Sequence, residues 1–322
     1  MKKEFLLLMA FCFLFASCEK DELPVEPHIQ GPVTLAQVDM GPAYINQVYY
    51  SLDNEEIAGS KLFTEWDLAF ESSEDGWKVV LNDARMMSAW TSGFNSITEA
   101  TDSAGFGNGQ RIEVSATAYT EPVMGNWREI EKVYLLDLGY SQLGLPLGLY
   151  WLEILDANAS TYTIRTKKYG TNEIREAIIE KVANEGFTLY SILENTTISG
   201  VEEASWDIKF TKYTYQFIDP PQPYLVTGLV LNPNRTAAVE VLNQSFDELA
   251  LSDTTGLNWS YQPDYIGYDW KAYDFNSSLY QVDSERSWLI RTASGFYYKF
   301  RFTYFYNAQG QVGVPGFEFV KL

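Results

Sequence analysis

Apolar and polar residues alternate along most of the chain in short runs that stop at Gly, Asn, Asp or Pro. Side chains alternate between the two faces of a strand, so a period of two marks half-buried strands. Few segments carry the spacing of an amphipathic helix. The pattern predicts an all-β protein of antiparallel sheets with at most one or two short helices. One helix is expected to open at Ser245, where Glu248 stands at capping-box spacing, and to run through Leu251. Asn184-Glu185-Gly186 reads as a turn that joins the strand before it, 174–182, to 187–193 in a hairpin.

The alternating runs repeat. Trp66-Asp67-Leu68-Ala69-Phe70 and Trp206-Asp207-Ile208-Lys209-Phe210 lie 140 positions apart, as do Tyr50-Ser51-Leu52 and Tyr190-Ser191-Ile192. Further on, Val80-Leu81-Asn82 matches Val230-Leu231-Asn232 with a slightly larger offset, and residues 94–99 match 242–248. A fixed offset kept through several strands implies tandem duplication, with halves expected at 34–185 and 186–322. Period-two alternation places Trp, Leu or Ile, and Phe of each motif on one face and the Asp on the other. Trp66 and Trp206 are therefore read as core anchors, with Asp67 and Asp207 hydrogen-bonded to a neighbouring turn.

The N-terminus departs from this pattern. Lys2 and Lys3 precede an uncharged apolar run from Phe5 to Phe15, the order of a secretory signal, expected over residues 1–17. The run is shorter than the roughly 20 residues of a membrane span. Phe15-Ala16-Ser17-Cys18 resembles a lipobox, which implies cleavage between Ser17 and Cys18 and a lipid on Cys18. The only other cysteine, Cys12, leaves with the signal, so neither a disulfide nor thiol chemistry is available to the mature chain. Lys20-Asp21-Glu22 resembles the surface-export signal of Bacteroidetes lipoproteins. Residues 18–33, with Pro24, Pro27 and Pro32, read as a flexible tether. The expected location is the outer membrane, anchored by lipid and exposed on the cell surface.

Charge and histidine count narrow the function. With 43 acidic against 23 basic residues and a formal charge of −20, the chain repels phosphate backbones, so no nucleic-acid partner is expected. A Ser-His-Asp or Cys-His site needs a placed imidazole, and the single histidine, His28, lies in the tether. No carboxylate pair stands out for glycoside hydrolysis, and no His or Cys cluster or calcium-loop pattern suggests a metal site. No catalytic residue is expected, and a binding protein is the leading class.

The last strands carry a family signature. Trp206-Asp207-Ile208, and Tyr297-Tyr298-Lys299-Phe300-Arg301-Phe302-Thr303-Tyr304-Phe305-Tyr306-Asn307, resemble the HmuY family of Bacteroidetes lipoproteins. The resemblance implies an all-β fold, a lipid anchor on the outer membrane, and haem capture for a TonB-dependent receptor. Its best-known member holds haem between two histidines, a pair this chain lacks. Haem iron also accepts Met sulfur or Tyr oxygen. The candidate donors are Met86, Met87 and Met124, with Met40 the remaining mature methionine, and Tyr213 and Tyr215 after the second Trp-Asp motif. Trp90 and Phe94 suggest an apolar setting for a porphyrin beside Met86 and Met87, although neighbours on a strand face opposite ways. The bland reading of each Met is that it fills a core gap. The alternative function is a surface lipoprotein that has lost haem ligation and binds a glycan or protein, with Trp259-Ser260-Tyr261 or residues 265–270 as stacking platforms.

Overall fold

The computed structural model describes residues 30–101 and 109–322. The expected signal peptide, Cys18, most of the tether and His28 lie outside the described residues. Gly31 N–H donates to the Lys321 carbonyl at 2.9 Å, so the chain is already docked where the tether was expected to continue to 33.

Two β-sandwiches form the protein. The first packs a five-stranded sheet against a four-stranded one. Its larger sheet runs β1 (Thr34–Gln37), β21 (Gly316–Lys321), β20 (Tyr297–Tyr304), β19 (Ser287–Arg291), β16 (Ala237–Val241). Its smaller sheet runs β15 (Pro221–Leu231), β14 (Ile208–Ile218), β2 (Asn46–Ser51), β3 (Glu56–Leu62). The second sandwich has a six-stranded sheet, β11 (Ile174–Glu180), β10 (Thr161–Lys168), β9 (Leu149–Ala157), β8 (Tyr134–Asp137), β6 (Ser88–Thr91), β7 (Arg111–Ile112). Facing it are β13 (Thr196–Ile198), β12 (Phe187–Ser191), β4 (Leu68–Glu71) and β5 (Val79–Leu81). A separate hairpin pairs β17 (Lys271–Asp274) with β18 (Leu279–Val282). The sheets are antiparallel, as alternation predicted. Helical turns are more numerous than expected, six among the described residues, but none exceeds four residues. The Ser245–Glu248 box does cap one of them, a 3-10 turn over Phe246–Glu248.

Each sandwich has its own core. Tyr298, Phe300 and Phe302 of β20 meet Phe210, Tyr50 and Phe317 in the first, and Trp270 lies flat on Phe302 at 3.7 Å. Leu68, Phe70, Tyr134, Tyr162 and Tyr190 fill the second. Burying one such side chain contributes roughly 1.5–3 kcal/mol.

The two sheet orders correspond strand for strand: β1-β21-β20-β19-β16 matches β11-β10-β9-β8-β6, and β15-β14-β2-β3 matches β5-β4-β12-β13. Thr34, at the start of β1, and Ile174, at the start of β11, keep the offset of the duplication. The copies therefore divide between β10 and β11, and the expected boundary at 185/186 falls after the first strand of the second copy. Nor is each half a sandwich. Strands β1 to β3 complete the sandwich of the second copy, and β11 to β13 complete that of the first. The predicted hairpin across 184–186 is replaced by a crossing between sheets, since β11 pairs with β10 while β12 pairs with β4 and β13.

Connection length forces this exchange. In a self-contained copy β4 would lie beside β2 and parallel to β3, and a parallel return needs about a dozen residues. Only residues 63–67 separate β3 from β4, and 199–207 separate β13 from β14. The chain steps instead into the other sandwich.

A buried aspartate closes each exchanged joint. Asp67 N–H donates to the Tyr190 carbonyl at 2.9 Å, and its Oδ2 accepts from Ile192 N–H at 2.7 Å. Asp207 N–H likewise donates to Tyr50 O at 2.9 Å and its Oδ2 accepts from Leu52 N–H at 2.8 Å. Asn82 and Asn232 then tie down the tryptophan turns, each side-chain amide donating to the carbonyl of Trp66 or Trp206 at 2.8 Å. The Trp does not share a face with Leu68 and Phe70. Strand geometry begins only at residue 68, and Trp66 packs on the outer face with Ala69, Val80 and Leu189.

The joints differ in charge. Asp67 pairs with buried Arg85, whereas Asp207 has no arginine in contact, and burial pushes its carboxyl up to about 6. Asp67→Ala strands the Arg85 charge and is expected to cost about 3–5 kcal/mol. Asp207→Asn keeps an acceptor for Leu52 and should cost about 1 kcal/mol or less. Urea unfolding followed by tryptophan fluorescence measures both, and equal losses would contradict the asymmetry.

Candidate functional site

The two copies diverge most in one hairpin. The strands β4 and β5 have four and three residues, whereas their counterparts β14 and β15 have eleven each. The extension carries alternating aromatics beyond the core. Tyr215, Phe217, Tyr224 and Tyr268 form a continuous cluster with ring centroids 5.1 to 6.2 Å apart. The β17–β18 hairpin brings Tyr273 and Tyr280 to the same side, 5.3 Å apart, and Tyr280 meets Phe305 at 5.2 Å.

Between the hairpins lies a cavity of about 370 Å³, lined by Tyr44, Phe217, Tyr224, Leu225, Val226, Thr227, Tyr268, Lys271, Tyr273, Tyr280 and Phe305. Seven of these eleven are aromatic, and the volume falls in the range of roughly 300–1,000 Å³ typical of small-molecule sites. Tyr44 enters from a backbone turn in which both Ala43 and Tyr44 have φ of 55°. Left-handed backbone at two successive non-glycine residues is strained, and such strain gathers at ligand sites. Burial pushes the Tyr44 phenol up to about 12, with Tyr280 and Tyr306 adding to the shift.

Lys271 is the cation of the cavity. Its ammonium donates to the Thr227 and Tyr268 carbonyls at 2.8 and 3.1 Å and lies over the rings of Trp270 and Phe305 at 4.3 and 5.2 Å. Desolvation lowers its pKa to about 7, against the pull of Asp269.

The expected ligands are scattered. Met87 and Met124 share the second core at 0% exposure, and Met40 is enclosed in the first. A porphyrin reaches none of them without prising a sandwich open. Met86 sits in a left-handed turn at φ 58°. Trp90 and Phe94 pack on the opposite face of their sheet from Met87, with Trp151, so the porphyrin setting expected there does not form. Tyr213 and Tyr215 come closer. Both pack with Val226 and Tyr268 behind the cavity wall, and the buried Tyr213 hydroxyl has no hydrogen-bond partner among the described residues. Of the suggested platforms, Trp270 is a core plate, and Trp259 packs on Tyr297 at 5.5 Å; Tyr261 is the more open, with Arg291 donating to its hydroxyl at 2.6 Å. Sequence reading missed Tyr44, Tyr273, Tyr280 and Lys271. The one local signal was the extra length of aromatic alternation after the second Trp-Asp motif.

No cluster of His, Cys, Asp and Glu positioned for a metal ion exists among the described residues. None of their helices is long and apolar enough to cross a membrane.

Comparison with known proteins gives a family match and distant structural likenesses. The family described as HmuY protein matches residues 43–319. No curated protein matches the chain. The chain is similar to an apo HmuY analog from Tannerella forsythia at 8% identity and TM-score 0.27, covering 92% of this chain and 98% of that one. Apo PinO from Porphyromonas gingivitis gives 8% identity and TM-score 0.26 over 89% and 96% of the two chains. A candidate HmuY-like heme binding protein from Bacteroides vulgatus gives 13% identity and TM-score 0.21 over 53% and 90%.

Lys271 gives the site a pH signature. Its folded pKa lies below the unfolded value of about 10.4, so its contribution to stability is full above that value and is lost as pH falls through about 7. Lys271→Met should remove this term, so the variant gains stability over the native chain at pH 6 and the gain shrinks by pH 10. Urea midpoints at the two pH values measure it; a gain independent of pH contradicts the assignment.

Proposed function

Because the chain belongs to the HmuY family, whose members are binding proteins, we propose that it binds haem or a porphyrin of the same shape in the aromatic cavity between its two hairpins. The observation that carries this reading is the cavity itself: seven aromatic rings around about 370 Å³, with one lysine and several tyrosines in its lining. The residues present fit the group. Flat aromatic walls suit a porphyrin face, the Lys271 ammonium suits a carboxylate side chain, and phenol oxygen is an established donor to haem iron.

Tyr44 is the phenol we assign as iron donor, since its strained turn holds it in the cavity. Bound haem would supply a metal charge that favours the phenolate. Tyr268, Tyr273 and Tyr280 exclude water from the faces of the ligand, and Tyr213 and Tyr215 support Tyr268 from behind. With no histidine pair, ring contact carries more of the binding than ligation does.

The same reading places the protein on the outer membrane, with the lipid on Cys18 and the folded domains facing outward, ready to pass its ligand to a TonB-dependent receptor. The lipobox at 15–18 and the Lys20-Asp21-Glu22 segment support it. Catalysis has no part in it.

Titration of the lipid-free chain with haemin should give a Soret shift, with affinity reduced about tenfold in Tyr44→Phe. Iron-free protoporphyrin should bind the native chain and the variant alike, because only ring contact is then in play. Absence of any shift with either compound removes porphyrin from the function. Separately, cells fed radiolabelled palmitate should label the full chain and not Cys18→Ala, with protease treatment of intact cells degrading the labelled protein; label in the variant contradicts the anchor.

A further inference from the structure

A second cavity lies at the junction of the two sandwiches, away from the hairpins. It opens between the outer faces of the two four-stranded sheets, where Trp66 Nε1–H donates across the junction to Gln47 Oε1 at 3.1 Å. The faces are related by the duplication but differ at one position. In the second sandwich the face is apolar, with Ala69 between Trp66 and Leu189. In the first, the residue matching Ala69 is Lys209, opposite Tyr49 on β2.

Lys209 is 7% exposed, and it lines the cavity. Its ammonium lies 5.5 Å over the Tyr49 ring and 5.9 Å over the Trp206 ring; among the described residues it makes no hydrogen bond, and the buried Asp83 carboxylate is the opposite charge that acts on it without direct contact. Asn232, wholly buried in the same wall, is also incomplete. Its amide nitrogen donates to the Glu203 and Trp206 carbonyls, while its Oδ1 has no partner among the described residues. In the other copy the matching oxygen, on Asn82, accepts from Ala84 N–H. The cavity thus offers one unmatched donor and one unmatched acceptor between aromatic walls. Buried polar groups are nearly always paired, so a partner that both accepts and donates is called for.

Charge and size select among such partners. The cavity is about 80 Å³, roughly two or three water volumes, which admits part of one ring and excludes a porphyrin. Glu203 stands in its lining, opposing a free anion. Hydroxyl groups meet both needs without charge.

The geometry points to a second binding site here, for the terminal pyranose ring of a neutral glycan. Its hydroxyls accept from Lys209 and donate to Asn232 Oδ1, and its C–H face lies on Trp206. The site is separate from the hairpin cavity and does not rest on the haem reading.

Saturation-transfer difference NMR of the lipid-free full chain tests this with methyl β-glucoside, methyl β-galactoside and methyl α-mannoside, and with glucuronate as the anionic probe. At least one neutral pyranoside should give a signal that falls at least fivefold in Lys209→Met, survives in part in Lys209→Gln, and is unchanged in Lys271→Met. Lys209→Met also takes the counter-charge from buried Asp83, so its circular dichroism and melting are checked against the native chain before the signal is read. Should it misfold, Val201→Trp, which fills the cavity from its rim, takes its place. Silence from all three pyranosides, equal signals in native and cavity variants, or a stronger response to glucuronate would each overturn the proposal.

Discussion

The arrangement of the whole chain depends on a buried carboxylate that closes a joint between two copies of one sequence. Asp67 and Asp207 each bind, through main chain and side chain, the Tyr-Ser-Leu or Tyr-Ser-Ile strand of the opposite copy. A carboxylate taken out of water is costly unless its oxygens accept hydrogen bonds, so the motif is stable only when that strand is in register. Each sandwich then needs strands from both copies. Loss of either joint exposes apolar faces on both sides, which makes the two folding units mutually dependent even though their cores are separate.

Exchange also explains why two similar copies came to differ. The joint is common to both, and so are the core positions Tyr50 and Tyr190 or Phe70 and Phe210. Beyond the joint, strand length is free to change. In one copy β14 and β15 extend well past the core and build an aromatic wall; in the other, β4 and β5 stay short and their outer face is covered by Ala118 and Tyr119. One sandwich therefore carries the aromatic cavity of about 370 Å³ while the other serves as its partner at the junction. The same asymmetry sets Lys209 where the first copy has Ala69, turning an apolar contact into a polar cavity.

How much of this was legible depended on how local the signal was. The Trp-Asp motif could be read because a buried carboxylate beside a bulky ring recurs at one offset, and the ending Tyr298-Lys299-Phe300-Arg301-Phe302 carries the family in a single strand. The methionines misled because polarisable side chains suit both cores and iron, and nothing local separates the two; burial of Met87 and Met124 at 0% places them in the core. The cavity was invisible because Tyr44, Tyr224, Lys271 and Phe305 come from four distant segments, each of which by itself looks like ordinary aromatic strand.

By itself the sequence determined the strand class, the duplication and the residues of each joint, because alternation and spacing are properties of neighbours along the chain. It carried the absence of a histidine pair in the same way. Only the tertiary structure decided which copy each strand completes. The offset between Asp67 and Asp207 is the same whether a copy closes on itself or on its twin, and the choice falls to the short connections at 63–67 and 199–207, which cannot make a parallel return. That choice set the junction with its cavity and brought Tyr44 to the hairpin cavity, groupings that no single stretch of sequence contains.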